Sequence, residues 1–449
     1  MKETNKFIKL IESGMQWKGV FRLLPALSLL VLCFWLAGCS SNTTSSSRLP
    51  STTTVASKNT YVGSQDPGIF TMTLDNSADT FAYQQTTNYA LTTTSQSGST
   101  TSTSGFLDFG TSNGTSLGKA IELGGSMALL RPGAGTAYLG RYGWSTSIVL
   151  GRYLIPMVAE SSCFAISNGP VRYVFLDDNT GSYGTFVVST DSTGTNWYFT
   201  DVVDSSGNAL LGPEEFNATC AESNGAAVVT AESDLTYTSL NVGENDVPAF
   251  YFHPNGGMFM TRNPSALTIN GNKAVYETWV GFAAPTSAPT ASQLTSTSYR
   301  GFMLEKIYFV DSSGYTDQEY LSYPVLFTPG GSNTLVGGPY PNDDLTQTPS
   351  TTQYTLSPGS ANTAVNGTFT SATLTTLDPQ QACGASIAQG TTNLTDGYNS
   401  AGAAICTGTG TMTASQVDGK NVLFVQNYDA TYSDGGTDVP SVTFYLFAE

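Results

Sequence analysis

Histidine occurs once in this chain of 449 residues, at His253. A single imidazole rules out two- and three-histidine metal centres and the H-E-x-x-H zinc-protease motif. Charged side chains make up only 11% of the chain, and 34 acidic residues outnumber 17 basic ones. A surface of that sign repels phosphate backbones, so nucleic acid is not expected as a partner. No apolar run reaches the roughly 20 residues of a membrane-spanning helix. The stretch nearest to it, Leu23 to Trp35, has 13 residues. No C-x2-C pair or K-T-G triplet occurs, which removes the usual zinc-thiolate and penicillin-binding-enzyme signatures. Helical periodicity is scarce too: beyond residue 38, no window of a dozen residues holds a convincing i, i+3, i+4, i+7 apolar pattern.

The N-terminus does carry a pattern. Lys2, Lys6, Lys9, Lys18 and Arg22 form a basic region diluted only by Glu3 and Glu12. The apolar core that follows has the length of a signal-peptide h-region. It closes on Leu36-Ala37-Gly38-Cys39, with a Ser/Thr tract behind it. This run resembles the lipobox of bacterial lipoproteins, a resemblance confined to residues 1–39. It implies that Cys39 is diacylated on sulfur, cut free on its amino side and acylated again. Each buried CH₂ contributes about 0.8 kcal/mol, and stable anchoring takes more than one chain. Ser40 and Ser41 follow the cysteine in place of an Asp, which by the same resemblance directs the protein to the outer membrane of a double-membrane host. Loss of residues 1–38 removes five basic and two acidic residues and leaves 12 basic against 32 acidic.

Residues 39–58 read as a Ser/Thr-rich tether, too polar to fold alone. The rest reads as all-β: an antiparallel β-sandwich or barrel-like main domain over 59–335, a linker over 336–360 and a smaller C-terminal β domain over 361–449. Gly68-Ile69-Phe70-Thr71-Met72-Thr73-Leu74 alternates apolar and hydroxyl residues at period two, and Asp75 to Asp79 turn it into Thr80-Phe81-Ala82-Tyr83, a hairpin signal. Thr92 to Ser104 reads as a mobile loop insertion. Val202-Val203-Asp204-Ser205-Ser206-Gly207 is echoed by Phe309-Val310-Asp311-Ser312-Ser313-Gly314, but such turn tips are too irregularly spaced for a solenoid or propeller. Apolar runs such as Phe186–Val188 are too short for a membrane-spanning barrel.

Four cysteines remain in the mature body: Cys163, Cys220, Cys383 and Cys406. Three pairings are open, and proximity favours Cys163–Cys220 with Cys383–Cys406. Ser116-Leu117-Gly118-Lys119 matches S-x-x-K, yet its flanking Asn113-Gly114-Thr115 predicts a loop rather than the helix start that pattern requires. His253, in Tyr251-Phe252-His253-Pro254-Asn255-Gly256-Gly257, is predicted as a turn histidine bonded to backbone. Asp177-Asp178-Asn179-Thr180-Gly181 and Asp434-Gly435-Gly436-Thr437-Asp438 offer oxygen ligands without EF-hand spacing, so a structural calcium ion is the one cofactor considered.

A basic, aromatic segment stands out. Lys119, Arg131, Arg141, Arg152 and Arg172 lie in one stretch, with Gly140-Arg141-Tyr142, Trp144 and Gly151-Arg152-Tyr153 inside it. Guanidinium groups beside rings suit sugar or carboxylate recognition, and Arg141, Tyr142, Trp144, Arg152 and Tyr153 are the candidate binding residues, on two strands joined by a turn. The function expected is that of an envelope-exposed lipoprotein, anchored to the membrane by lipid. It acts as a non-catalytic binding or structural module, with a glycan or an envelope protein as partner. The alternative is a carbohydrate-active hydrolase using two carboxylates, Asp201 or Glu214 with Glu277.

Overall fold

A computed structural model describes residues 58–65, 68–87, 93–131, 135–139, 146–150, 153–177, 183–204, 207–212, 214–223, 225–232, 235–237, 245–263, 268–269, 272–273, 278–287, 289–310, 316–351, 354–361, 368–376, 387–388, 406–428 and 440–449. It is all-β, and every strand pairing but one short parallel contact is antiparallel. Cys39, expected to carry lipid, and the stretch up to residue 57 expected to be a tether lie outside these residues.

The chain winds through three rings of strands in succession. The first contains β1 (Lys58–Gln65), β2 (Gly68–Asp75), β3 (Thr80–Thr87), β4 (Thr93–Thr103), β5 (Phe106–Thr111), β6 (Ser116–Leu123), β7 (Ser126–Arg131) and β8 (Tyr153–Ala159). Each pairs with the next, and β8 closes on β1. The second contains β9 (Val171–Asp177), β10 (Tyr183–Thr190), β11 (Asn196–Asp204), β12 (Phe216–Ser223), β13 (Ala226–Ala231), β14 (Asn245–Phe252), β15 (Gly257–Asn263) and β16 (Thr278–Ala283). Here β16 returns to β9. The third contains β17 (Tyr299–Val310), β18 (Thr316–Gly331), β19 (Thr334–Pro339), β20 (Tyr354–Ser357), β21 (Thr368–Thr376), β22 (Cys406–Val417), β23 (Lys420–Tyr428) and β24 (Pro440–Ala448). It closes through β24 on β17. All three are up-and-down barrels, which leave no free sheet edge.

Alternation builds each wall. In β2, Phe70, Met72 and Leu74 are buried inside while Thr71 and Thr73 face outward. Asp75 then ends the strand, its carboxylate accepting from the backbone N–H groups of Ser77 and Ala78, both at 3.1 Å. That side-chain turn fixes the hairpin register. Apolar side chains fill all three interiors. Membrane barrels are the reverse, apolar outward. Among the described residues the only exposed large apolar side chain is Tyr198.

The three closing seams share one construction. Tyr61, Tyr173 and Tyr299, all fully buried, sit opposite Ala159, Ala283 and Ala448. The next residue donates its N–H across each seam: Glu160 to the Thr60 carbonyl, Ala284 to Arg172 and Glu449 to Ser298. Two residues further along lies a glycine that lets the strands close up. A Cβ on Gly63 would come 2.5 Å from the Pro156 carbonyl oxygen, and one on Gly301 would come 1.9 Å from that of Tyr445. In the second ring the glycine is on the eighth strand, Gly281, opposite Phe175.

The rings pack cyclically, the first and eighth strands of each against the fifth to seventh of the next. Val62 and Val158 of the first meet Val228, Tyr251 and Phe259 of the second. Phe282 of the second lies 5.5 Å from Phe424 of the third, and Phe302 of the third 5.7 Å from Phe106 of the first. The two linkers each plug the barrel that follows. Phe164 and Ile166 enter the second core and Leu294 the third.

Three expectations need correction. The 336–360 stretch is no linker: most of β19 and all of β20 come from it, with Tyr340, Tyr354 and Leu356 buried. Its Gly337 is a close-approach residue, a Cβ there falling 2.0 Å from the Leu326 carbonyl oxygen. The strand pairings therefore join 299–448 into one ring and leave 160–170 and 284–298 as the connections. Thr92 to Ser104 is no loop insertion, since residues 93–103 form β4. Thr favours extended backbone, and both ring neighbours supply the pairing that the strand's own side chains do not dictate.

Candidate functional site

The polar strand β4 explains an open concavity on the first barrel. Over its eleven residues it holds only Thr, Ser, Gln and Gly and is largely exposed. Beside it, β2 and β3 turn Thr71, Thr73 and Gln84 outward, and the β5–β6 turn rises as a rim carrying Ser112 and Asn113. Together they form a groove of about 490 Å³ on the outer wall of the first barrel. The rim is rigid: the Ser112 N–H donates to the Ser97 carbonyl at 3.0 Å, and the Thr111 hydroxyl bonds to Asn113 and Thr115. None of the lining side chains carries a full charge at neutral pH. Hydroxyl and amide groups of this kind can satisfy ligand hydroxyls without ion pairing.

Arg131, the last residue of β7, forms the second element. Its Nη1 donates to the Tyr83 hydroxyl at 2.9 Å and to Gln85 Oε1 at 2.8 Å. The guanidinium carbon lies 5.0 Å from the Tyr83 ring centroid. Burial raises the Tyr83 pKa, and the Arg131 charge opposes that rise. Beyond Arg131 the chain enters the hairpin of 135–139 with 146–150. Arg141, Tyr142, Trp144 and Arg152 fall outside the described residues. Tyr153 opens β8 opposite Arg131, its side chain not described. Arg172 belongs instead to the second barrel, where it pairs with Asp201 at 3.2 Å and bonds the Thr185 hydroxyl. The basic segment is therefore divided between two barrels.

His253 lies where three equivalent turns meet, those between the sixth and seventh strands of each ring. Its Nδ1 accepts the Asn255 N–H at 3.2 Å, as a turn histidine should. Asn255 reaches the carbonyls of Leu123 and Gly124 in the first ring, and its own carbonyl accepts the Asp418 N–H of the third.

Of the hydrolytic candidates, Asp201 is engaged by Arg172, Glu214 lies in the loop after β11, and Glu277 is outside the described residues. Ser116 and Lys119 lie on an antiparallel strand with a bulge between them, not on the helix start that the pattern requires. Two G-x-S-x-G strings, Gly110–Gly114 and Gly114–Gly118, overlap this region. They lie in a β-hairpin, without the strand-to-helix elbow that makes such a serine nucleophilic. Of the proposed calcium loops, Asp177 ends β9 and the remaining positions lie outside the described residues. Among the described residues no group of three His, Cys, Asp or Glu side chains is arranged to hold a metal.

Cys163 and Cys220 form a disulfide that ties the first linker to β12. Cys383 is outside the described residues, and Cys406 opens β22 with its side chain not described. No protein-family model matches the chain, and no curated protein is similar to it in sequence.

Proposed function

We propose that this protein is a lipid-anchored envelope module whose first barrel binds an uncharged, hydroxyl-rich ligand of the glycan class. The observation that carries this reading is the groove on β2–β4: preorganised, of ligand size and lined by neutral hydrogen-bonding groups in a chain of net charge −17. Pockets of roughly 300–1,000 Å³ are the range that small ligands occupy. The anchor is Cys39, acylated and resident in the outer membrane of a double-membrane host, with residues 39–57 as tether. No catalytic step is assigned, and nucleic acid is not a partner.

Titration calorimetry with neutral oligosaccharides, set beside their uronic-acid counterparts, tests the binding. Neutral sugars should bind, and Ser97→Trp, which fills the groove, should weaken binding at least about tenfold with the melting temperature little changed. Unaltered affinity in the filled variant would remove the groove from the reading. Labelling cells with a palmitate analogue, wild type against Cys39→Ala, tests the anchor separately.

A further inference from the structure

A chain with one histidine has placed it at the point common to all three barrels. The imidazole is 8% exposed. It lies flat against Gly125 of the β6–β7 turn, where a Cβ would fall 2.6 Å from the ring. Its Nδ1 holds the Asn255 backbone, and Asn255 is the connector: its side-chain nitrogen bonds the Leu123 and Gly124 carbonyls, its oxygen accepts from Gly257 and its carbonyl from Asp418.

We propose that His253 is an acid-sensitive latch: protonation of its ring releases the β14–β15 turn from the β6–β7 and β22–β23 turns, loosening the barrels from one another while each stays closed. A neutral ring can accept the Asn255 N–H; an imidazolium cannot, because its Nδ1 then carries a proton that faces another donor. Asn255, which makes the contacts to both other barrels, has its backbone N–H held by that acceptor. The barrels themselves close through their own seams and interior cores, which His253 does not touch.

Among the described residues, Asp418 is the one charged group facing the ring; the β6–β7 turn offers Gly124 and Gly125, and the β14–β15 turn Asn255. Burial lowers the pKa of His253, opposed by Asn255 and by the Asp418 carboxylate. A histidine held below its unfolded value of about 6.5 stabilises the folded junction above that pH and loses this contribution as pH falls through it. The direction is opening on acidification.

The histidine Cε1–H gives a single resonance in the whole chain, so its titration can be followed without assignment. Its midpoint should lie below about 6.5. Amide exchange at 123–126, 253–257 and 418–420 should quicken over the same interval while the seam amides at 61–63 and 299–301 stay protected. His253→Gln should remove the acid-induced exchange, and Asp418→Asn should lower the midpoint further. A midpoint at or above about 6.5, or junction amides indifferent to pH down to about 4.5, overturns the latch. Should His253→Gln fail to fold, the wild-type titration and exchange decide alone.

Discussion

The first and second barrels share a strand plan and a seam, but they differ in what fills them. The second is packed with rings: Trp279 lies on Phe175 at 4.1 Å, Phe199 on Phe216 at 4.5 Å and Trp197 on Phe252 at 4.7 Å. A disulfide pins its incoming linker to β12. The first mixes Met, Leu and Phe with two polar pairs, Tyr61 with Glu122 and Arg131 with Tyr83, and turns a hydroxyl-rich wall outward. One architecture can thus serve as a stable body or as a presenting surface. The choice depends on which residues occupy fixed positions on the wall.

The largest effect separating the two should come from Trp279→Ala. Truncating a fully buried indole costs about 3–5 kcal/mol, because the neighbouring rings cannot collapse into the space. Hydrogen exchange should show the loss concentrated in β9–β16, with the first barrel's amides little changed. Equal loss of protection in both barrels would mean that the rings unfold as one unit and that the contrast in their cores has no energetic meaning.

Next in size is the bridge. Replacing Cys163 and Cys220 by Ala frees a loop whose ends are 57 residues apart, which by chain entropy costs about 4 kcal/mol at most. Urea titration in the second barrel should register this, and reductant should reproduce it in the wild type. A double variant as stable as the parent would assign the linker's placement to Phe164 and Ile166 alone.

These barrels were only partly legible in the sequence. The β2–β3 hairpin could be read because apolar residues alternate and Asp75 supplies the turn. The Cys163–Cys220 pair followed from proximity, and His253 from its Pro-Asn-Gly-Gly setting. Ring closure and threefold repetition could not be read from local pattern, because seam glycines occupy different strands in different rings. Tyr61-Val62-Gly63 with Ala159-Glu160, set against Tyr299-Arg300-Gly301 with Ala448-Glu449, was the one signal available. Gly281 serves the second ring from the opposite strand, so the three rings do not align. Stretch 336–360 misled because a glycine needed for strand approach looks, in sequence, like a hinge glycine. The groove left no motif, since Thr71, Gln84 and Ser97 are brought together by the pairing of three strands and not by a fixed spacing in sequence.

The smallest and sharpest test uses the seam tyrosines, which occupy the same rung in each barrel. The Tyr61 hydroxyl donates to Glu122, so Tyr61→Phe strands a half-buried carboxylate and should cost about 1–3 kcal/mol. The Tyr173 hydroxyl, fully enclosed by the aromatic core, has no hydrogen-bond partner among the described residues, so Tyr173→Phe should be neutral or stabilising. Burial raises both phenol pKa values, and Glu122 raises that of Tyr61 further. Such groups stabilise the fold below their unfolded pKa of about 10 and lose that contribution as pH climbs toward the folded value. Either phenylalanine variant should therefore flatten the alkaline fall in stability, while only Tyr61→Phe lowers stability at neutral pH. If the two variants behaved alike at neutral pH, the polar pair in the first barrel would be incidental, and its difference from the second would reduce to the outer wall.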